Sequence, residues 1–479
     1  MKEIIYKYKK KINIFNTLKN KKELFIPINN NIINMYVCGP TIYKNIHLGN
    51  CRTFILFDII YRYFIHLKYN IRYIRNITDY NFKLNNNFYN NNYLYLYKIK
   101  KYYLKYYKIL KLFNILEPNL EPRVTNYIMD QINNIKNLIK LKYAYIRNKS
   151  VYFDIYKYNN NKNFIKFGKI LNNLNIIYNK NKLNKYLKNK IYDFSIWKNI
   201  NNYDIFKWKT KWGTGIPGWH IGCTTISNKL LGDYFDIHGG GIDLKFPHHE
   251  CEIIQSNIIN NNNNNLAKYW IHTNMLTINN KKMSKSLNNF ILPYDIIKGR
   301  YKITDNVDIN PFIIRFYLIQ THYRNKLNFS YKNLKNTINK YFNLLNIFNK
   351  FKRIIPKNNT SSYINIVSIY DKCYNSINDD FNIPLLIFNL NRINNIIDKC
   401  INNILQISKD DLNKLKKILK YFLIDILGLK KIKGKKQTNI KIVINNLLKL
   451  RNEMRIKKDY EYSDRIRDII SKYIMINDK

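Results

Sequence analysis

The stretch MYVCGPTIYKNIHLGNCRTFILFDIIYRYFIHLKYNIRYIRNIT, Met35 to Thr78, decides the fold of this chain. MYVC closes a short apolar run, Gly39 and Pro40 turn the chain, and CRTFILFDIIYRYFIHLKYN carries apolar residues at helical spacing before IRYIRNIT reads as a second strand. Strand, glycine-containing turn, helix and strand make a βαβ unit, the start of a parallel nucleotide-binding sheet. Such sheets place their ligands at the carboxyl ends of strands, and Cys38 falls there. His47-Leu48-Gly49-Asn50 lies where the turn meets the helix, a position whose free backbone N–H groups and helix dipole suit phosphate. Gly49 allows close approach, and His47 can donate to a phosphoryl oxygen.

Downstream, Pro217 to Glu252 reads PGWHIGCTTISNKLLGDYFDIHGGGIDLKFPHHECE and concentrates cysteines and histidines in a chain that has only 6 and 8 of them. Pro247 can open a helix, which puts His248 and Glu252 one turn apart on one face, where they can grip one ion. Cys223 adds a thiolate, and Cys38 is the natural fourth ligand. Sulfur, imidazole and a single carboxylate suit zinc better than magnesium or calcium. Taken singly, each residue reads more readily as a buried cysteine or a solvated charge; together they read as a metal site. His249, Glu250 and Cys251 stand as rival ligands in the same turn. Farther on, Lys281 to Ser286 (KKMSKS) sets lysines around two serines, a loop able to clamp a triphosphate and neutralise a leaving pyrophosphate.

Between about Tyr80 and Ile200 the pattern shifts to Asn- and Tyr-rich helical segments, an insertion between the two halves of the sheet. Asn260 to Asn265 reads as a low-complexity surface loop. Beyond about Asn310 the periodicity is helical, as in PFIIRFYLIQTHYR and IVINNLLKLRNEM. At 479 residues the chain needs about two or three domains, and 46% hydrophobic residues exclude wholesale disorder. The net charge of +51 admits a polyanionic partner, but it is spread along the whole chain. Lys, Asn, Ile, Tyr and Phe all have A/T-rich codons, so mutational drift accounts for most of the excess. Six irregularly spaced cysteines point to a reducing compartment. No apolar run reaches membrane-spanning length, so no membrane partner is expected, and residues 1–31 leave little room for a presequence.

Read in order, Cys38, H-L-G-N, PGWHIGC…HGGGIDLKFPHHECE and KMSKS make the chain resemble the class I aminoacyl-tRNA synthetases, and the cysteinyl-tRNA synthetase family in particular. The resemblance extends from NIFNTL through YVCGPTIY, RNITD, DFSIWK, WGTGIPGWHI, THYR and DDFNIP to KKDYEYSDRIRD. It implies an α/β fold: a Rossmann-like parallel-sheet catalytic domain in two halves (1–80 and 201–300), a connective insertion (81–200), linker helices (301–345), and an all-α anticodon-binding domain (346–479). It further implies Zn2+ held by Cys38, Cys223, His248 and Glu252, with ATP and Mg2+ handled by His47, Gly49, Asn50, Lys282 and Lys285. Trp219 and His238 would wall the amino-acid pocket, while Thr78 and Asp243 would orient the substrate. The implied partners are L-cysteine, ATP and tRNA(Cys), in a cytoplasmic monomer. The chain departs from the family pattern at YNFKL after Asp79, at Gly222, at Asn288 and at its ending, IMINDK. A cysteine ligase acting on an amino sugar would share both sites but lack the long helical region. A catalytically decayed RNA-binding paralogue is the other alternative.

Overall fold

The computed structural model describes residues 8–80, 92–171, 193–200, 206–283, 289–300, 309–356, 364–431, 447–448, 450–457 and 459–471. The first elements are an antiparallel hairpin, β1 (Asn13–Asn16) and β2 (Lys21–Leu24). Then β3 (Ile32–Val37), α1 (Leu48–His66) and β4 (Asn70–Arg75) form the expected βαβ unit, with β3 and β4 parallel from Ile32 opposite Asn70 to Val37 opposite Arg75. His47 caps α1: its side chain accepts from the Asn50 N–H while the Asn50 side chain accepts from the His47 N–H, a reciprocal capping box.

The inserted segment contains α2 (Asn92–Leu112), α3 (Ile128–Lys140) and an antiparallel sheet of β5 (Ala144–Arg147), β6 (Ser150–Phe153), β7 (Phe194–Asn199), β8 (Trp208–Thr210) and β9 (Gly213–Pro217), in the order β5-β6-β7-β9-β8. The sheet thus continues past residue 200, up to Pro217. From there α4 (Trp219–Leu231), β10 (Phe235–Gly241), α5 (Glu250–Ile259) and β11 (Ala267–Thr273) return the chain to the first sheet. That sheet is wholly parallel in the order β11-β10-β3-β4. Strands β3, β10 and β11 are almost continuously buried, as expected of parallel strands covered on both faces, while the edge strand β4 is buried only in its second half.

A smaller sheet joins β12 (Leu276–Ile278), β13 (Lys281–Lys282) and β14 (Leu327–Phe329). The helices around and beyond it are α6 (Pro293–Ile297), α7 (Pro311–Ile319), α8 (Tyr331–Lys350), α9 (Ile366–Asn378), α10 (Ile383–Ile401) and α11 (Lys409–Leu419). Asn310, Ser330, Asn365, Asn382 and Ser408 cap α7 to α11 with side-chain oxygens, which satisfies otherwise orphaned N–H groups. Asp58 on α1 ties these helices in: its carboxylate pairs with the fully buried Arg315 of α7 and with Arg62, and accepts from the Leu116 N–H. Met1–Leu429 form one compact unit and Lys430–Lys479 a second. In the second, Leu447, Leu448 and Met454 pack on Ile466 and Ile470 of α12 (Tyr460–Ser471). Among the described residues, no helix is long and apolar enough to cross a membrane.

Candidate metal and adenylation site

Strand β3 leads outward to β4 and its neighbour β10 leads the opposite way to β11, so the order reverses between β3 and β10, and ligands of such sheets bind at the carboxyl ends there. Cys38 is the first residue past β3, and its N–H donates to the Gly239 carbonyl of β10 at 3.0 Å. Two glycines are required by close approach. A Cβ on Gly39 would lie 1.7 Å from the Asn76 carbonyl oxygen, and one on Gly239 would lie 2.0 Å from Cζ of Phe57 on α1.

Four buried side chains converge at this point: Cys38, Cys223 from α4, His248 from the turn before α5, and Glu252 from α5. Cys38 Sγ is 3.8 Å from Cys223 Sγ, 3.6 Å from His248 Nε2 and 3.5 Å from Glu252 Oε1. A tetrahedral zinc with bonds of about 2.3 Å to sulfur and about 2.0–2.1 Å to nitrogen or oxygen requires edges of about 3.8 Å between sulfurs and about 3.5–3.6 Å from sulfur to the others. The three edges that start at Cys38 match those values. His248 Nε2 and Glu252 Oε1, at 2.8 Å, are at hydrogen-bond distance.

The rivals in the same turn separate on geometry. Glu250 accepts from the N–H groups of Gly168, Lys169 and Ile170 at 2.8–3.2 Å, which engages both its oxygens and braces the insertion against α5. Cys251 is buried and joins neither possible ligand group among the described residues. His249 does belong to a second possible group, with Cys38, His238 and Glu252. That group offers one sulfur instead of two, so the first is the more thiophilic. Pro247 does begin the helical stretch, after an extended Phe246 (φ −141°, ψ 133°), and this places His248 one turn before Glu252.

Electrostatics point the same way. Burial alone would push His248 down, but the neighbouring Glu252 carboxylate and Cys223 raise it to about 10. The hydrogen bond from Cys38 outweighs burial at Cys223 and lowers it to about 6. Burial would raise Glu252, yet His238 and His248 hold it well below the carboxylate range. Cys223 and Glu252 are thereby held in the anionic state that binds a metal ion, whereas His248, protonated here, and Cys38, whose thiol burial and then Cys223 push well above its usual value, must each give up a proton to do so. His220 Nδ1 lies 2.8 Å from His248 Nδ1, and burial, with His248 beside it, pushes His220 down to about 3. A neutral His220 accepts at Nδ1, which fixes the proton of His248 on Nδ1 and leaves Nε2 facing the other ligands, the outer support common to metal-binding histidines.

Beside this cluster lies an open cleft of about 1270 Å³, lined among others by Cys38, His47, Gly49, Asn50, Trp219 and Asp243. The Trp219 ring, 48% exposed, stands 4.3 Å from that of His248 and so borders both cleft and cluster. Burial and then Lys44 push His47 down to about 4, so its ring is neutral at pH 7. With Nδ1 accepting from Asn50, the proton sits on Nε2 as a donor. His238 is fully buried, stacks on Trp270 and reaches Glu252 Oε2 at 2.7 Å. Thr78 also lies beneath the surface, its backbone bonded to Pro40 and Ile42, bracing the loop after Cys38. Gly222 faces α3's approach: a Cβ there would meet Val124 Cγ1 at 2.7 Å, which accounts for the small residue beside Cys223. Lys282 ends β13, next to the cleft-lining Met283. Lys285, Asn288 and the segment after Tyr80 lie outside the described residues.

Sequence reading weighed Glu250 only as a rival metal ligand and did not assign His220 or His272, which bonds His249 Nδ1 at 2.7 Å. His220 carried a signal, its spacing of three residues from Cys223 on one helix face; the others are joined only by tertiary packing.

The family profile described as tRNA synthetases class I (C) catalytic domain matches residues 24–339. The chain is 37% identical over 96% of its length, and 95% of the relative's, to the cysteine–tRNA ligase of Bacteroides thetaiotaomicron. It is 39% identical over 85% of its length, and 91% of the relative's, to that of Wigglesworthia glossinidia brevipalpis. Solved structures with the same fold include methionyl-tRNA synthetase of Mycobacterium tuberculosis in complex with methionyl-adenylate (TM-score 0.54, 12% identity, 82% of this chain and 89% of that one). Another is arginyl-tRNA synthetase of Plasmodium falciparum (TM-score 0.52, 14% identity, 90% and 82%).

Proposed function

The chain belongs to the class I tRNA synthetase (C) family, and on that premise we infer that it is an ATP-dependent cysteine–tRNA ligase whose metal site selects the substrate. Cysteine's carboxylate oxygen attacks the α-phosphorus of ATP, the bond to the β-phosphate oxygen breaks, and cysteinyl-adenylate and pyrophosphate form. A hydroxyl of the terminal adenosine of tRNA(Cys) then attacks the acyl carbon and AMP departs. Cys38, Cys223, His248 and Glu252 would hold zinc, which when bound supplies a thiophilic site that accepts cysteine's sulfur and discriminates against serine's hydroxyl.

The chain's own residues supply positioning and charge. The Nε2–H of neutral His47 donates to a phosphoryl oxygen, Gly49 presents a helix N-terminal N–H group to the phosphates while Asn50 holds the His47 ring for them, and Lys282 and Lys285 balance charge on the departing pyrophosphate. Trp219 borders the amino acid, and Asp243, at the cleft wall, receives its ammonium group. His238 holds Glu252 from behind, and Thr78 holds the loop carrying Cys38. Magnesium accompanies ATP, and the protein works as a cytoplasmic monomer. The observation that carries the reading is the match between the three edges from Cys38, of 3.5–3.8 Å, and a tetrahedral zinc, at the switch point of the sheet.

Cysteine-dependent ATP–pyrophosphate exchange tests it, with serine as competitor and zinc content measured in wild type and Cys223→Ser. Exchange with cysteine, little with serine, and joint loss of zinc and exchange in the variant are expected. A folded, zinc-replete wild type without exchange would overturn the ligase reading in favour of the RNA-binding one.

A further inference from the structure

Helix α2 reads NYLYLYKIKKYYLKYYKILKL, lysine- and tyrosine-rich without one acidic residue. Tyr106, Ile109 and Leu110 bury one face. Lys98, Lys101, Lys105 and Lys108 follow each other at helical spacings of three, four and three residues, so they form one stripe, and all four are exposed. The stripe is about 15 Å long. Tyr97 and Leu104, at 52% and 59% exposure, flank it.

The lower end of the stripe borders a groove of about 760 Å³ between α2 and α6, lined by Lys105, Lys108, Tyr294, Asp295 and Arg300. The Tyr294 ring forms a plate with two cations near it: Lys108 Nζ lies 5.4 Å from its centroid and the Arg300 guanidinium 5.5 Å. Asp295, the acidic residue of the lining, lies 3.7 Å from Arg300 and offsets part of that charge. Asn45 and Ile46 line both this groove and the adenylation cleft, so the two adjoin at that loop.

A stripe of cations leading to an aromatic plate is the arrangement that holds a single nucleic-acid strand, phosphates on lysines and a base on the ring. We propose that the groove between α2 and α6 receives the single-stranded 3′ end of tRNA and leads it past Asn45 and Ile46 into the cleft. The proposal rests on the ligase reading for the identity of the strand. A peptide has no phosphates for the lysine stripe, and a free nucleotide is too short to span it.

The test compares full-length chain with Lys105→Glu/Lys108→Glu and with Tyr294→Ala. Three quantities are measured: cysteine-dependent pyrophosphate exchange, aminoacylation of a tRNA(Cys) transcript, and dissociation constants for that transcript and for one lacking its single-stranded 3′ end. In the double variant exchange stays at the wild-type level, which also reports a folded catalytic unit. Affinity for the intact transcript and kcat/KM for tRNA fall about tenfold or more, and the slope of log K against log salt flattens by about 1.4, two phosphate contacts on a single strand. Tyr294→Ala weakens binding with the slope unchanged. Unchanged affinity, equal loss on both transcripts, or a parallel loss of exchange would each overturn the proposal. Because dissociation constants need no catalysis, failure of the ligase reading appears separately, as absent exchange in wild type.

Discussion

Replacing Asp58 by alanine leaves the Arg315 guanidinium, fully buried between α1 and α7, without its counter-charge. Burial already pulls Arg315 below the ordinary arginine value, and the Asp58 carboxylate opposes that pull. The carbonyls of Leu427 at 2.8 Å and Phe113 at 2.9 Å remain as acceptors, but they bring no charge. Removing one partner of a buried pair costs about 3–5 kcal/mol. The Leu116 N–H, which donates to Asp58 Oδ1 at 2.8 Å, adds about 1 kcal/mol as an orphaned donor. With a urea slope of about 3 kcal/mol per molar, a loss of about 4–6 kcal/mol lowers the unfolding midpoint by roughly 1.3–2 M. The assay is urea unfolding followed by tryptophan fluorescence, since the buried reporters Trp197 and Trp270 lie in the same compact unit. Arg315→Met alone is costly too, because it strands Asp58. The double variant Asp58→Ala/Arg315→Met removes both charges and recovers at least about 2 kcal/mol relative to the sum of the singles. A single-variant cost under about 1 kcal/mol, or additive costs in the double, would refute the argument that an unpaired buried charge sets the penalty.

Gly239→Ala forces a methyl to within 2.0 Å of the Phe57 ring and should destabilise by at least about 1–3 kcal/mol; Phe57→Leu in the same chain should restore part of that loss in the same unfolding assay. His220→Ala should weaken zinc retention about 10–100-fold in chelator competition, and an unchanged affinity would remove His220 as the support of His248. His66, pushed down to about 4 by burial and then Lys68, stays neutral in the folded protein while the unfolded chain protonates it near pH 6.5. Its contribution is therefore complete above about pH 6.5 and lost as pH falls to about 4. The unfolding midpoint should drop across that window, and His66→Gln should flatten the drop.

What the sequence alone determined here was local and periodic. Short apolar runs, a glycine turn and a helical repeat specify a βαβ unit because each depends on residues near one another in the chain, and His248 and Glu252 share a helix face because they are four positions apart. Cys38 could be assigned to the sheet edge because strand ends are where such sheets bind ligands. Tertiary structure decided what depends on long-range approach. It brought Cys38 against Cys223 and Glu252, engaged Glu250 with the N–H groups of 168–170, and drew His238 against Glu252. It also turned the lysines of α2 from undifferentiated positive charge into one stripe beside a groove. The reason is the same throughout: periodicity records which face of an element is buried, whereas the partner met at that face is chosen by packing between segments up to hundreds of residues apart.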